Sequence, residues 1–254
     1  MEMILKKKTI KNQYENNGFV VVKNILTIDE TNRLKKSLFD TIEQTKKSFK
    51  KRFVNFTKNN AINSLHGLDN FKCVKEIKNN KNIKELTKIL LGNGFGEFGS
   101  ELFAKPAKHG LPVPIHQDNK YWCLNNGNAL TMWIALDKST TKNGGIFYFK
   151  GSHKLGVFEH EPSFAPGSSQ KIKYEDGLDH YKKILPQLNV GDCIIHHCHV
   201  AHGSNANKSN LPRTGLTLRF KAKNTEIKND LKKSYEKDLK LQLKIRKKKT
   251  NKTK

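Results

Sequence analysis

Long apolar runs are absent from this 254-residue sequence. No stretch approaches the roughly 20 apolar residues that would span a bilayer. Met1 to Asn17 is broken by Lys6, Lys7 and Lys8 and lacks the apolar region of a secretory signal. Cysteine is scarce: Cys73, Cys123, Cys193 and Cys198 include no close pair with redox-motif or zinc-knuckle spacing. Four cysteines in a chain this long make no disulfide scaffold, so a reducing cytoplasm is expected. Apolar residues reach only 35% and charged residues 28%, which implies a soluble protein with a heavily solvated surface. Acid is short as well: 48 Lys and Arg face 23 Asp and Glu, a net charge of +25. Such an excess favours polyanions or an anionic substrate. No nucleic-acid motif accompanies it, and the lysines are spread thinly among many Asn and Ile, as A/T-rich coding would spread them. Specific nucleic-acid binding is therefore not expected.

What is present falls into two textures. Residues 14–24 (YENNGFVVVKN) read as a short buried strand after a turn at Asn16, Asn17 and Gly18. Thr27 or Asp29 can cap a helix through about Thr41, with Leu34, Leu38 and Ile42 at helical spacing. Residues 68–92 read as helix again, with Val74, Ile77, Ile83, Leu86, Ile89 and Leu90 apolar. From about 99 to 223 the apolar runs become short and β-branched or aromatic, between turns rich in Gly, Asn and Pro. Ala129 to Leu136, Gly145 to Phe149 and Gly215 to Ala222 are examples, and the pattern predicts a β sandwich or barrel. The polar stretch from Gly151 to Pro186 reads as an irregular lid or binding loop. The division is one domain over 1–228, helical over about 1–98 with a β-core over about 99–223. A basic tail follows over 229–254, part helix, its last ten residues disordered. There is no internal repeat.

His116-Gln117-Asp118 carries the chemistry. In a strand, residues two apart share a face, so an imidazole and a carboxylate can both point inward, with Gln117 turned away or along the rim. A third ligand from another strand would complete a 2-His-1-carboxylate facial triad, the arrangement of non-haem Fe(II) oxygenases. The segment GDCIIHHCHVAHGSNANKSNLPRTGLTLRF, from Gly191 to Phe220, supplies His196, His197, His199 and His202, with Arg213 after a turn.

At these residues the sequence resembles the phytanoyl-CoA dioxygenase family of Fe(II)/2-oxoglutarate-dependent oxygenases, over roughly residues 14–222. The matching pieces are GFVVVKN followed by a helix, FAKPAKHGLPVPIHQD, WIALDKSTTKNGGIFYFKGSHK and HGSNANKSNLPR, in that order. The resemblance implies a double-stranded β-helix (jelly-roll, cupin-like) core with flanking helices. It implies oxidation of a small organic substrate by Fe(II), 2-oxoglutarate and O2, with succinate and CO2 released. His116, Asp118 and His202 are then the metal ligands and catalytic residues. Arg213 binds the distal carboxylate of 2-oxoglutarate, with Ser204 in support, and Gln117 and Trp133 line the pocket. A planar guanidinium suits that carboxylate.

Some choices stay open in the sequence. His199 is the alternative third ligand, although His202 has the family's spacing of eleven residues before Arg213 (213 − 202). Arg219 is the alternative anchor, six residues beyond Arg213 and on the same face of a straight strand. Related halogenases lack the carboxylate, so Asp118 favours hydroxylation. Two readings compete with the oxygenase: a cupin-like zinc or ligand-binding module using Cys193, Cys198 and nearby histidines, and a basic nucleic-acid binder.

Overall fold

The computed structural model describes residues 2–45, 54–57, 59–165 and 167–251, with side chains described between residues 7 and 245 of those ranges. The chain runs α1 (Glu2–Asn17), β1 (Phe19–Val22), α2 (Ile28–Thr45), β2 (Val54–Phe56), β3 (Ile62–His66), α3 (Lys72–Lys78), α4 (Lys81–Leu91) and β4 (Gly96–Lys105). It continues with β5 (Val113–His116), α5 (Asn119–Trp122), β6 (Ala129–Ala135), β7 (Ile146–Phe149), β8 (His160–Ala165), β9 (Ser168–Ile172) and β10 (Lys183–Ile184). β11 (Cys193–His197), β12 (His202–Ser204), β13 (Arg213–Lys221) and α6 (Asn229–Asn251) complete it.

Two antiparallel sheets form a jelly-roll core. The larger has the order β1-β11-β6-β13-β4-β3-β2 and the smaller β10-β7-β12-β5, with β8 and β9 as a separate hairpin. Strand alternation divides the larger sheet into two faces. Leu102, Leu130, Met132, Ile134, Ile195, Leu216, Leu218 and Phe220 point outward into one apolar cluster with Leu34, Leu38 and Ile42 of α2 and Val74 and Ile83 of α3 and α4. The alternate residues, among them Lys105, Thr131, Trp133, Arg213 and Arg219, line a cavity of about 510 Å³ that the smaller sheet also lines. The helices thus brace the back of the sheet and leave its front to chemistry. Each fully buried Leu contributes about 2 kcal/mol of apolar burial, which fixes the register of the polar face.

Local signals explain the helix ends. Thr27 and Glu30 form a reciprocal cap on α2: Glu30 N–H donates to Thr27 Oγ1 at 3.2 Å, and Thr27 N–H donates to Glu30 Oε2 at 2.7 Å. The single helix expected over 68–92 is two, because Asn80 breaks it. The Asn80 side chain accepts from Asn82 N–H and Ile83 N–H and starts α4 anew.

Three other expectations are corrected. Residues 14–17 end α1 and the strand begins at Phe19. β2 and β3 lie inside the supposedly helical N-terminal part and extend the larger sheet beyond β4. The described residues between Gly151 and Pro186 are not irregular throughout but carry the β8–β9 hairpin, β10 and two short 3-10 turns. α6 runs to Asn251, and residues 252–254 of the tail lie outside the described residues.

Candidate active site

His116 ends β5 and His202 begins β12, and the two are paired directly across the smaller sheet. Their rings lie 4.3 Å apart, centroid to centroid. Gly203 permits the approach, since a Cβ there would stand 2.9 Å from Phe147 Cζ and 3.0 Å from the Val113 carbonyl. Asp118 is not on the strand as expected. The chain has already turned, with Asp118 in helical conformation at the N-cap of α5. Its carboxylate nevertheless reaches the pair: Oδ1 is 3.8 Å from Nε2 of His116 and 3.8 Å from Nε2 of His202. Among the described residues these three are the group able to share one metal ion, with ligand atoms all within 4.8 Å of one another.

Hydrogen bonds set the protonation such an ion needs. His116 Nδ1 donates to the Pro114 carbonyl at 2.8 Å and His202 Nδ1 to the Val200 carbonyl at 3.0 Å. Each Nε2 lone pair is thereby left facing Asp118. Burial above all pushes both imidazoles below their usual pKa, so they are neutral near pH 7. Burial alone would raise Asp118. The hydrogen bond from His196 and the surrounding imidazoles outweigh it and hold the carboxyl well below the usual range. Asp118 Oδ2 accepts from Thr131 Oγ1 at 2.8 Å and His196 Nε2 at 3.1 Å, while Tyr148 Oη donates to His196 Nδ1 at 3.1 Å. Thr131, His196 and Tyr148 thus orient one carboxylate oxygen and leave the other for a metal. Neutral imidazoles with an ionised carboxylate fit Fe(II).

At the other end of the cavity, Arg213 is 2% exposed and donates Nε–H and Nη2–H to the Gly144 carbonyl at 3.2 and 3.0 Å. Among the described residues it has no carboxylate partner. Burial pushes its pKa down to about 10. Lys105, its direct neighbour on β4, is 3% exposed and pushed down to about 6, by burial first and by Arg213 second. Lys105 Nζ donates to the carbonyls of Asn205 and Leu111. The Arg213 guanidinium lies 5.2 Å from the Trp133 ring, whose buried Nε1–H finds no acceptor. The indole reaches this position because residue 215 is glycine: a Cβ there would stand 2.0 Å from Trp133 Cζ2. Ser204 is buried at the same wall. A buried cation, a neighbouring buried amine that can take up a proton, and an orphaned donor call for an anion, and the distal carboxylate of 2-oxoglutarate fits.

Other expected residues do not join the site. Gln117 is fully buried outside the cavity. Its Nε2 donates to the carbonyls of Gly156, at 2.8 Å, and His199, and its Oε1 accepts from Phe158 N–H at 2.7 Å. Its amide is consumed by backbone, so it does not line the pocket. His199 turns away to the Asn119 amide at 2.9 Å, which removes it as a rival to His202. Arg219 does line the cavity, but it pairs with Glu101 rather than standing free as an anchor. The thiols of Cys193 and Cys198 are buried and pushed up by that burial, and no cysteine joins a metal-holding group among the described residues. That removes the zinc module. Lys105, Thr131 and Tyr148 were not singled out in the sequence. Lys105 lies in the quoted FAKPAKHG segment, and only its pairing with Arg213 gives it a role.

A profile of the phytanoyl-CoA dioxygenase (PhyH) family matches residues 14–215. The chain belongs to this family. PhyH proteins are 2-oxoglutarate-dependent non-haem iron dioxygenases, as the fold and metal-competent triad here agree. The chain is 29% identical over 155 residues to a probable alpha-ketoglutarate-dependent hypophosphite dioxygenase of Stutzerimonas stutzeri, covering 60% of this chain and 54% of that protein. It therefore spans about half the length of that relative. It is 24% identical over 238 residues to the ectoine dioxygenase of Sphingopyxis alaskensis, covering 87% of this chain and 76% of that one. Among solved structures, the carbocyclase SnoK from nogalamycin biosynthesis superposes with a TM-score of 0.72 at 19% identity, covering 87% and 86% of the two chains. EctD from S. alaskensis, crystallised with 2-oxoglutarate and 5-hydroxyectoine, gives 0.69 at 21% identity over 84% and 74%. At such identities these likenesses establish the jelly-roll fold. No helix among the described residues is long and apolar enough to cross a membrane.

Proposed function

We propose that this PhyH protein hydroxylates a small organic substrate, consuming 2-oxoglutarate and O2 and releasing succinate and CO2. His116, Asp118 and His202 hold the Fe(II). The observation that carries the reading is the meeting of these three side chains, with ligand atoms within 4.8 Å, in the cavity that also holds a buried Arg213 lacking a carboxylate. When bound by these residues, Fe(II) would supply the activation of O2.

The chain's own residues do the positioning. Arg213 and Lys105 receive the distal carboxylate of 2-oxoglutarate, with Ser204 beside it, and Trp133 Nε1–H donates to a co-substrate oxygen. Their burial excludes water and strengthens each contact. Tyr148, His196 and Thr131 keep Asp118 ionised with Oδ1 turned to the metal. Retention of Asp118 supports hydroxylation over halide transfer, because the carboxylate occupies the position a halide would need. We assign a single oxygenase domain that includes α6. Four buried, unpaired cysteines support a cytoplasmic setting. The net charge of +25 supports an anionic substrate; hypophosphite, from the name of one relative, is such an anion.

Anaerobic titration with Fe(II) and then 2-oxoglutarate tests the site, followed by succinate release across a panel of small metabolites. One Fe(II) and one 2-oxoglutarate per chain are expected, with turnover lost in Asp118→Ala and in His116→Ala. Normal turnover in Asp118→Ala, or stoichiometric zinc held through thiolates, contradicts the assignment.

A further inference from the structure

Arg213 and Arg219 sit six residues apart on the cavity face of β13, about 20 Å of strand. They mark opposite ends of one cavity. Arg219 is paired across the sheet with Thr131, which holds Asp118, so its guanidinium stands on the far side of the metal-competent group from Arg213. Glu101 neutralises it: Nη2 of Arg219 pairs with Oε2, and Oε1 lies 2.5 Å from His66 Nδ1. The other guanidinium nitrogens of Arg219 have no protein acceptor among the described residues, although its side chain is only 18% exposed. The Arg219–Glu101 pair carries no net negative charge, and it presents unfilled N–H donors to the cavity. That chemistry receives an oxyanion and rejects a cation.

The wall opposite comes from α6. Tyr235, Leu239, Gln242 and Leu243 recur at helical spacing and line the cavity. Tyr235 Oη is 3.3 Å from Ser169 Oγ and its ring 5.9 Å from that of Tyr121, while Lys120 Nζ lies 3.4 Å from Asp238 Oδ2. These contacts dock α6 on α5 and the β8–β9 hairpin. Leu243 is nonetheless 48% exposed, at the rim. α6 begins at Asn229, beyond residue 215, where the family profile match ends.

We propose that Arg219 with Glu101, and Tyr235 and Leu239 of α6, form the primary-substrate subsite. It takes a small molecule with an oxyanion head, carboxylate or phosphonate, and a short apolar body. The cavity of about 510 Å³ also has to hold 2-oxoglutarate, which keeps that body short. This rests on the oxygenase reading above.

The test is anaerobic calorimetry on the full chain, saturated with Fe(II) and 2-oxoglutarate. The probes are methylphosphonate, propylphosphonate, butyrate and butan-1-ol. Propylphosphonate and butyrate should bind at least about tenfold more tightly than butan-1-ol, without displacing 2-oxoglutarate, and which anion binds better identifies the head group. The charge-neutral pair Arg219→Gln with Glu101→Gln should bring that preference to within about twofold while 2-oxoglutarate still binds. Tyr235→Ala and Leu239→Ala, on a helix surface, should weaken propylphosphonate more than methylphosphonate, and they carry the test should the paired variant misfold. The proposal is overturned if the anions bind no better than the alcohol, if they compete with 2-oxoglutarate, or if the paired variant keeps the full preference. Failure of Fe(II) or 2-oxoglutarate to bind at all overturns the oxygenase reading instead, and the initial titration separates the two.

Discussion

Arg213→Met separates binding from stability in opposite directions. The wild-type guanidinium is buried with the Gly144 carbonyl as its acceptor and no carboxylate. Burial that lowers its pKa to about 10 corresponds to roughly 3 kcal/mol of destabilisation of the charged form in the ligand-free protein. Methionine fills a similar volume without charge. It removes that cost but leaves the Gly144 carbonyl without its partner, a loss of about 1–3 kcal/mol. The net change in ligand-free stability is then between zero and about +2 kcal/mol, which for a chain of this length raises Tm by up to roughly 5 °C. Binding moves the other way. Truncating one member of a buried, hydrogen-bonded charge pair costs about 2–5 kcal/mol, so 2-oxoglutarate should bind roughly 30-fold to several-thousand-fold more weakly. Thermal unfolding with and without 2-oxoglutarate reads both effects, and anaerobic calorimetry gives the affinity. A variant that binds 2-oxoglutarate within threefold of wild type would refute the role of Arg213. A fall in ligand-free Tm of several degrees would refute the idea that an uncompensated cation is held there for a ligand.

Lys105, pushed down to about 6, is mostly neutral at about pH 8 without ligand. A carboxylate arriving beside it raises its pKa, so 2-oxoglutarate binding at that pH should take up close to one proton, measurable by calorimetry in two buffers of different ionisation enthalpy. Lys105→Met should abolish the uptake, and no uptake in wild type means the amine does not meet the co-substrate. Because the folded value lies below the unfolded value of ~10.4, the unfolded chain holds the extra proton between those two values. The Lys105 contribution to ligand-free stability should therefore rise with pH across that window. Gln117→Ala leaves three half-buried backbone groups without their side-chain partner and should cost about 1–3 kcal/mol of stability, read by denaturant unfolding, with 2-oxoglutarate affinity unchanged. Gly215→Ala places a methyl group against the Trp133 ring and should weaken 2-oxoglutarate about tenfold or more, with an altered near-ultraviolet signal from the displaced indole.

The sequence made legible whatever depends on close neighbours. Short β-branched and aromatic runs between turns revealed the core strands, a cap at Thr27 or Asp29 ahead of Leu34, Leu38 and Ile42 revealed α2, and His116, Asp118, His202 and Arg213 stood in short segments whose order is characteristic. What escaped depends on pairing between distant segments. β2 and β3 are short, and only β4 beside them makes them part of the large sheet. The N-terminal half of α1 is mostly lysine and polar residues with no apolar stripe, and its fixed point is Tyr14 near its end. Lys105 is unremarkable in sequence and acquires a role by facing Arg213 across two strands. The His116–Asp118 relation was anticipated for a reason that did not hold, since the turn into α5, not strand alternation, swings the carboxylate round to the imidazoles.

Arg213 and Arg219 show why residue type and spacing leave a role open and partners decide it. Both are inward-facing arginines on one strand and both lie near a tryptophan, Trp133 and Trp122 respectively; Arg213 is buried and the Arg219 side chain is 18% exposed. They differ in compensation. Glu101 cancels the charge of Arg219, so the protein can carry that cation permanently and use its spare donors to orient a guest. No carboxylate pairs directly with Arg213 among the described residues, and the more distant Asp137 does not offset its burial, so its charge is fully stabilised when a ligand arrives with one. An uncompensated buried cation makes affinity for an anion strong and nearly obligatory, as suits a co-substrate needed in every cycle. A compensated one contributes direction more than attraction, as suits a site that must choose among small molecules. The two arginines therefore respond oppositely to charge removal: Arg213→Met should leave the empty protein as stable or more so, whereas Arg219→Met leaves the buried Glu101 with His66 as its remaining side-chain partner and should destabilise it by about 3–5 kcal/mol. Equal effects of the two substitutions on ligand-free stability would show that compensation is not what distinguishes them.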